Sequence, residues 1–208
     1  MTGAFVTFEG GDAVGKSTQA AALQAWLQQQ GHDVVRTREP GGTPLGEAVR
    51  ELVLHREWAV APRAEALLYA ADRAQHVATV VRPALARGAV VIQDRYLDSS
   101  VAYQGSGRVL DPSEVRRLSL WATEDLLPDL TVLLDLPAEA ARARRTGRGY
   151  DRLEAEEDAF HERVRLSFLR LADAEPDRFL VLDGAQPTDV LSGLVRDAVA
   201  PLVAPLLS

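Results

Sequence analysis

The stretch "GGDAVGKS" (residues 10–17) has the spacing of a Walker A motif, G-x-x-x-x-G-K-[ST]. The β-branched run "AFVTF" (4–8) precedes it, and a helical pattern follows it from about Ser17. In that context the glycines let backbone N–H groups close around phosphate oxygens, and the start of the helix adds partial positive charge. The stretch therefore predicts a phosphate-binding loop at the end of a buried strand.

The side chains of this loop suit a nucleoside triphosphate and its metal ion. Lys16 is the only lysine in the chain and can reach the β- and γ-phosphates, while the hydroxyl of Ser17 can ligate Mg²⁺. A nucleoside triphosphate with Mg²⁺ is the expected pair. The residues predicted to bind this nucleotide are Gly10, Gly11, Asp12, Ala13, Val14, Gly15, Lys16, Ser17 and Thr18.

Strand and helix patterns alternate along the rest of the chain. The predicted strands are 4–8, 33–37, 89–93, 130–136 and 178–183, and the predicted helical segments are 18–31, 62–87, 111–127, 137–145 and 154–174, with a last helix beginning near Pro187. Several strands are nearly continuous apolar runs, which is typical of strands covered on both faces. We predict an α/β fold with a five-stranded parallel sheet flanked by helices, in a single domain over residues 1–208.

Composition narrows the class of protein. The net charge of −7 argues against a nucleic-acid partner, which normally needs a basic face. The chain has no cysteine, and the N-terminus has no pattern of a signal peptide. The apolar tail "AVAPLVAPLLS" (198–208) is short and contains two prolines, so no membrane span is expected. We expect a cytoplasmic protein.

The strand that ends in "QDRY" (93–96) separates classes of nucleotide-binding protein. A single lysine excludes the guanine-reading motif Asn-Lys-x-Asp and a second catalytic lysine. Asp94 can hold Mg²⁺, but its neighbour Arg95 would bind an anion and cannot act as a base. This favours transfer to a second phosphorylated molecule over hydrolysis, although an ordinary Asp–Arg surface pair is the alternative.

Three further stretches could form an acceptor site. "DRYLDSSVAYQG" (94–105) follows the carboxyl end of a buried strand, where ligands bind in open α/β sheets. In "LLYAADRAQH" (67–76), Tyr69 and Arg73 are four apart and share a helix face. The third stretch is "REPGGTPLGE" (38–47), which could also be an ordinary helix start, with Thr43 as the N-cap and Pro44 as the first helical residue. Read separately, Ser99 and Ser100 could be turn residues, and the Tyr69–Arg73 pair could be a surface contact.

Together, "FEGGDAVGKST", "REPGGT", "ADRAQH", "DRYxxSSxAYQG" and "DRLE" occur in this order over nearly the whole chain. The set resembles the thymidylate kinase family. The resemblance implies a P-loop nucleoside monophosphate kinase fold with a short lid, and Mg²⁺-dependent transfer from ATP to dTMP, giving dTDP for dTTP synthesis. It also implies a homodimer.

Carried over residue by residue, the resemblance gives each acceptor residue a role. Arg95 would hold the acceptor phosphate, Tyr69 would stack on thymine, and Arg73 would meet its O4. Ser100 and Gln104 would lie along the base, and Tyr103 would sit under the sugar at C2′. The full predicted substrate-binding set is Asp12, Arg38, Pro40, Tyr69, Arg73, Arg95, Ser99, Ser100, Tyr103 and Gln104.

An aspartate inside a phosphate-binding loop needs its own explanation. A carboxylate beside two polyanions is repelled unless it has a cation, and Arg95 is the natural partner for Asp12. The resemblance adds that this acid reaches the 3′-hydroxyl of the acceptor. We therefore expect Asp12 to orient the acceptor.

The basic stretch "RRTGRGYDRLE" (144–154) is predicted as a lid, approximately residues 144–153, between two helices. Many family members carry Gly or Arg and then Ala where this chain has Ala13 and Val14, so the transition-state cation must come from elsewhere. Arg148 is the first choice and Arg144 the second, while Arg152 is expected to pair with Asp151 or Glu154. The predicted catalytic set is Lys16, Arg95, Asp12, Arg148 and Arg144, and the predicted metal ligands are Ser17 and Asp94.

Two other functions fit parts of the pattern. One is a kinase of the same fold that acts on a different pyrimidine nucleoside or nucleotide. The other is a nucleotide-gated switch or a DNA-associated ATPase. The acidic net charge argues against it, and so does the sequence after the third predicted strand: motor and helicase ATPases end a strand with Asp-Glu, whereas this chain has Asp94 followed by Arg95.

Overall fold

A computed structural model describes residues 3–55, 58–107, 110–144, 151–154 and 156–207. Its single sheet has five parallel strands in the order β2-β3-β1-β4-β5. The strands are β1 (Ala4–Glu9), β2 (Val34–Arg38), β3 (Val90–Asp94), β4 (Leu130–Asp135) and β5 (Phe179–Asp183). The predicted parallel α/β sheet is confirmed, with every predicted strand boundary within one residue of the observed one.

Helices connect the strands and cover both faces of the sheet. They are α1 (Lys16–Gln29), α2 (Pro44–Leu54), α3 (Pro62–His76), α4 (Arg82–Ala86), α5 (Leu97–Ser100), α6 (Pro112–Thr123), α7 (Ala138–Ala143), α8 (Asp158–Ala174) and α9 (Thr188–Val203), with a short 3₁₀ turn at Ala204–Leu207. None of these helices in the described part of the chain is both long and apolar enough to cross a bilayer.

The segment predicted as one helix over 62–87 is interrupted by a π-helical turn at Val77–Val81. Pro83, early in α4, has no N–H to donate to the carbonyl four residues before it, and its ring crowds that carbonyl. Widening the preceding turn is a common way for a helix to continue past such a residue. A second π-helical turn, Val101–Gly107, continues directly from α5 and was not predicted.

Alternate strand residues face opposite sides of the sheet. Val6, Phe8 and Ile92 pack in the core under α1 and α9, whereas Phe5 and Val91 pack against α4 and the first π-helical turn. A third cluster under α8 includes Leu133 of β4. Burial on both faces explains the continuous apolar runs of the central strands.

Because the strands are parallel, their carboxyl ends meet at one edge of the sheet. Glu9 ends β1, Asp94 ends β3 and Arg38 ends β2. The Walker A loop and the stretch 94–105 therefore begin side by side, on adjacent strands of the sheet.

Candidate active site

A cavity of about 500 Å³ lies at this edge of the sheet. It brings together most of the residues predicted for the two sites. From the loop, it is lined by Asp12, Ala13, Gly15, Lys16, Ser17 and Thr18; from the predicted acceptor and lid residues, by Arg38, Pro40, Tyr69, Arg73, Asp94, Arg95, Ser99, Ser100, Tyr103, Gln104 and Arg144. One cavity thus holds both the Walker A loop and the proposed acceptor residues.

The Walker A loop depends on left-handed backbone at three positions. Gly10, Ala13 and Gly15 have φ values of 128°, 61° and 104°. A Cβ at Gly10 would lie 2.4 Å from the carbonyl oxygen of Leu134, so only glycine fits there. Gly10, Gly11 and Val14 do not line the cavity, and the Val14 side chain is buried in the core. Packing of the Val14 isopropyl group in the core therefore holds the loop in place.

Lys16 is folded back onto its own loop. Its Nζ donates to the carbonyl oxygens of Gly10 at 3.2 Å and Gly11 at 2.5 Å. Burial, followed by the nearby charge of Arg95, lowers the pKa of Lys16. Phosphate oxygens offer this ammonium more negative charge than two neutral carbonyls do.

Asp12 and Arg95 form the ion pair that the sequence predicts. Arg95 Nη2 lies 2.5 Å from Asp12 Oδ1, and the Tyr103 hydroxyl donates to Asp12 Oδ2 at 3.1 Å. Arg95 Nη1 also donates to Gly10 O and to Ser99 Oγ. Burial alone would lower the pKa of Arg95, but Tyr103 and Asp12 outweigh it and raise that pKa. The guanidinium is a fixed, permanent cation facing the cavity.

Ser17 and Asp94 also meet as predicted. The Ser17 hydroxyl donates to Asp94 Oδ2 at 2.7 Å, joining the start of α1 to the end of β3. Both are oxygen ligands of the kind that Mg²⁺ prefers. No group of three or more His, Cys, Asp or Glu that could hold a metal occurs within the described residues, and Mg²⁺ in kinase sites commonly needs only one or two protein ligands.

Comparison with known proteins decides the family. The family model described as thymidylate kinase matches residues 8–194. The chain is 66% identical over 208 residues to a thymidylate kinase of Clavibacter sepedonicus, covering 98% of each, and 54% identical over 206 residues to one of Bifidobacterium longum, covering 97% of this chain and 100% of the relative. The crystal structure of thymidylate kinase from Ehrlichia chaffeensis superposes with a TM-score of 0.78 at 31% identity, covering 96% and 99% of the two chains. The chain belongs to the thymidylate kinase family.

In this family member, Tyr69 and Arg73 lie along α3 and both line the cavity. Arg73 is almost fully buried, so the alternative of a surface contact is wrong. Its Nη2 donates to Ser100 Oγ at 3.1 Å and its Nε to Glu39 Oε2 at 2.8 Å. Its side chain lies over the ring of Tyr96.

A buried network behind the cavity escaped sequence analysis. His76 bridges Glu39, at 3.0 Å, and Thr37, at 2.7 Å. Burial raises the pKa of Glu39, but Arg73 and His76 outweigh it, so the pKa lies below its usual range. These contacts fix the loop that carries Pro40. The only signal in the sequence was a histidine one turn after Arg73.

Glu9 is the second group that was missed. It is fully buried at the end of β1, and its carboxylate accepts from Tyr96 N at 2.7 Å and Ser99 Oγ at 2.6 Å. Ser99 Oγ in turn accepts from Arg95. Burial, then the negative charge of Asp98, raises the pKa of Glu9 to about 7. Its position directly before the loop was the signal available in the sequence.

The predicted lid lies between α7 and α8, as expected, but only its ends are described. Arg144 lines the cavity and donates to the carbonyl oxygen of Gly184 at 2.9 Å. Arg148 lies outside the described residues. Arg38 is exposed and pairs with Glu47.

The prediction for Arg152 was wrong. It pairs with Glu65 of α3, and its Nε donates to Val53 O at the end of α2. Asp151 instead accepts from the backbone N–H groups of Leu153 and Glu154, which closes a local turn. Because the Asp151 carboxylate accepts these local backbone hydrogen bonds, it does not pair with the neighbouring Arg152.

Proposed function

We propose that this cavity transfers the γ-phosphoryl group of ATP to dTMP, and that Arg95 marks the point of transfer. The supporting observation is the position of Arg95. Its guanidinium is held by Asp12 and Tyr103, in the same cavity as Lys16. A cation fixed between two phosphate sites lowers the repulsion between donor and acceptor, which is most of what phosphoryl transfer requires from the protein.

The loop 10–18 binds the donor in this proposal. Lys16 leaves the carbonyl oxygens of Gly10 and Gly11 and moves to the β- and γ-phosphates, while the N–H groups at the start of α1 hold their oxygens. An oxygen of the dTMP phosphate attacks the γ-phosphorus. The bond from that phosphorus to the β–γ bridging oxygen breaks, and ADP leaves with the electron pair.

The remaining cavity residues hold the acceptor. Arg95 binds its phosphate, Tyr69 stacks on thymine, and Arg73 donates a hydrogen bond to O4 of the base. Ser100 and Gln104 lie along the base. Tyr103, held by Asp12 and Arg95, fills the space beside C2′ that a ribose hydroxyl would need.

Ser17 and Asp94 would hold Mg²⁺. Their oxygens are 2.7 Å apart at the mouth of the loop, which suits a metal shared with phosphate oxygens. When bound there, Mg²⁺ would neutralise charge on the β- and γ-oxygens.

The lid arginines would supply the remaining cation, because Ala13 carries no charge. We expect Arg148→Ala to lower kcat about 10²-fold with little change in KM for dTMP, since the contact is made mainly in the transition state. Arg144→Ala should have the smaller effect. Arg87→Ala, which removes an exposed ion pair with Asp33, is the control. If neither lid variant loses more than about fivefold in kcat, the lid does not supply this cation.

A coupled assay for ADP release tests the substrate. The panel contains dTMP, dUMP, UMP, dCMP and AMP, each with ATP and Mg²⁺. We expect dTMP to have the highest kcat/KM and dUMP to exceed UMP. A preference for another pyrimidine would support the related kinase, and ATP hydrolysis without any acceptor would support the ATPase.

We also propose a homodimer in the cytoplasm. The support is exposed apolar surface on two helices that pack against each other: Leu67 of α3 is 58% exposed and Trp121 of α6 is 81% exposed. Sedimentation should give about twice the chain mass of 22.6 kDa.

A further inference from the structure

A buried hydrogen-bonded chain joins the cavity to the segment that follows the lid. Gln104 lines the cavity, and its Nε2 donates to Glu65 Oε1 at 3.0 Å. The other oxygen of Glu65 pairs with Arg152 Nη2. Glu65 is completely buried and Gln104 nearly so. Glu65 does not line the cavity, so its effect on a ligand would pass through Gln104.

The carboxylate determines which way the amide of Gln104 faces. An ionised carboxylate only accepts hydrogen bonds, whereas an amide has a donating NH₂ and an accepting oxygen. Turning the amide over would set two accepting oxygens against each other in a buried place, which is strongly unfavourable. Chemistry therefore requires the NH₂ group to face Glu65.

The carbonyl oxygen of Gln104 consequently faces the ligand. It accepts no hydrogen bond within the described residues, and Gln104 lines the cavity, so this oxygen is the part of the amide left for a ligand. An oxygen in this position accepts from an N–H group and repels another acceptor.

The side chain of Glu65 is also fixed by its surroundings. It lies in the first turn of α3, where the helix dipole favours an acid. Arg152 supplies the opposite charge and is anchored to Val53 O and Leu54 O at the end of α2. Tyr69 is one turn further along α3, so Glu65 and the proposed stacking residue share a face.

We propose that Glu65 is a positioning residue for acceptor specificity: by fixing the amide of Gln104, it selects a pyrimidine with an N–H donor at ring position 3. Thymine and uracil carry that donor, whereas cytosine has an acceptor there. This inference rests on the proposed placement of the acceptor base beside Gln104.

A double-mutant cycle of Glu65→Gln and Gln104→Ala tests the role. The measured quantity is the ratio of kcat/KM for dTMP to that for dCMP in wild type, both single variants and the double variant. Arg73 contributes to this ratio, but its contribution is common to all four proteins. A glutamine at position 65 can donate as well as accept, so the amide of Gln104 is free to turn. We expect Glu65→Gln to lower the ratio about tenfold and to have no further effect when Gln104 is alanine.

Glu175→Gln is the matched control. Like Glu65, Glu175 is a carboxylate paired with arginine, here Arg116 and Arg178, but it lies away from the cavity. It should leave the ratio unchanged. If Glu65→Gln does not fold, Glu65→Asp replaces it, because the shorter side chain keeps the charge for Arg152 and withdraws from Gln104.

Each outcome has one meaning. An unchanged ratio in Glu65→Gln with a lowered ratio in Gln104→Ala overturns the role of Glu65 alone. An equal loss from Glu65→Gln in both backgrounds means that Glu65 acts through the fold and not through Gln104. An unchanged ratio in Gln104→Ala overturns the placement of the base, and inactivity of the wild type toward dTMP overturns the proposed function itself.

Discussion

Lys16 is the side chain on which the proposed donor site depends most directly. It is the one lysine in an arginine-rich chain, and it is buried at the mouth of the loop, where among the described residues it donates to the backbone carbonyls of Gly10 and Gly11. An ammonium group is compact and can move from those carbonyls to a phosphate, which a wider, forked guanidinium would do less readily.

Replacing Lys16 by alanine should therefore remove catalysis and spare the fold. We expect kcat to fall by about 10²–10³, the usual cost of losing one electrostatic donor in the transition state. The circular dichroism spectrum and melting temperature report the fold. A variant that keeps more than about a tenth of wild-type kcat would show that Lys16 does not contact the transferring group.

Asp12 provides the matching test on the acceptor side. Its two oxygens contact Arg95 and Tyr103. Asp12→Asn removes the charge that holds Arg95 but keeps the shape, so KM for dTMP should rise about tenfold and more than KM for ATP. Asp94→Asn, on the proposed metal side, is the control and should raise KM for Mg·ATP instead. The reverse pattern would move Asp12 to the donor site.

Glu9 connects the end of β1 to α5 through its hydrogen bonds to Tyr96 and Ser99. The contribution of Glu9 to stability should vary with pH. The pKa of Glu9 rises from 4.5 to about 7 on folding. The unfolded chain loses this proton near pH 4.5, whereas the folded chain keeps it to about pH 7. The folded state therefore binds more protons in that window, and its stability falls as the pH rises through it.

Glu9→Gln does not titrate, so it should escape this loss. The free energy of unfolding of the variant minus that of the wild type should increase by about 3 kcal/mol between pH 4.5 and pH 8, measured by urea denaturation without nucleotide. Glu47→Gln is the control: its hydrogen bond to Arg38 outweighs burial and lowers the pKa, so no increase is expected. A flat difference for Glu9→Gln would mean that Glu9 is ionised at no cost in the folded protein.

Local sequence predicted some elements and not others, for physical reasons. The central strands were found because burial on both faces leaves continuous apolar runs, and Thr43 caps α2 as expected. Helix α8 begins at Asp158 and not at 154, and Asp151 closes a separate local turn before it. The π-helical turn at Val101–Gly107 has no marker in the sequence.

The residues of the candidate site likewise include some that the sequence predicts and some that it does not. Asp12 and Arg95 could be paired in advance because each charge needed a partner near phosphate. Glu65 and His76 could not, because no ligand expected from the sequence requires them to meet their partners Gln104 and Glu39. A buried polar group finds its partner through the tertiary fold, which no local pattern encodes.

Across the molecule, a buried ion pair links two strand connections, the one from β3 to β4 and the one from β4 to β5. Asp98 of α5 is completely buried and accepts two hydrogen bonds, at 2.7 and 2.9 Å, from Arg178 just before β5. Arg178 also donates to Thr131 of β4 and to Glu175. The acceptor side of the cavity and the far edge of the sheet should therefore unfold together, as expected for one domain.

Asp98→Ala tests this cooperativity. Removing one partner leaves the Arg178 charge buried beside an empty space, so the free energy of unfolding should fall by about 3–5 kcal/mol. Because the chain is predicted to be a single unit, tryptophan fluorescence and far-UV circular dichroism should report one coincident transition, shifted to lower urea with an unchanged slope. Asp33→Ala is the control, since its pair with Arg87 is more than half exposed and should matter by less than about 1 kcal/mol. If the two probes separate in the wild type, the chain folds as more than one unit. If Asp98→Ala shifts the unfolding transition reported by only one of the two probes, the ion pair stabilises only its local part of the fold and does not couple the sheet to the cavity.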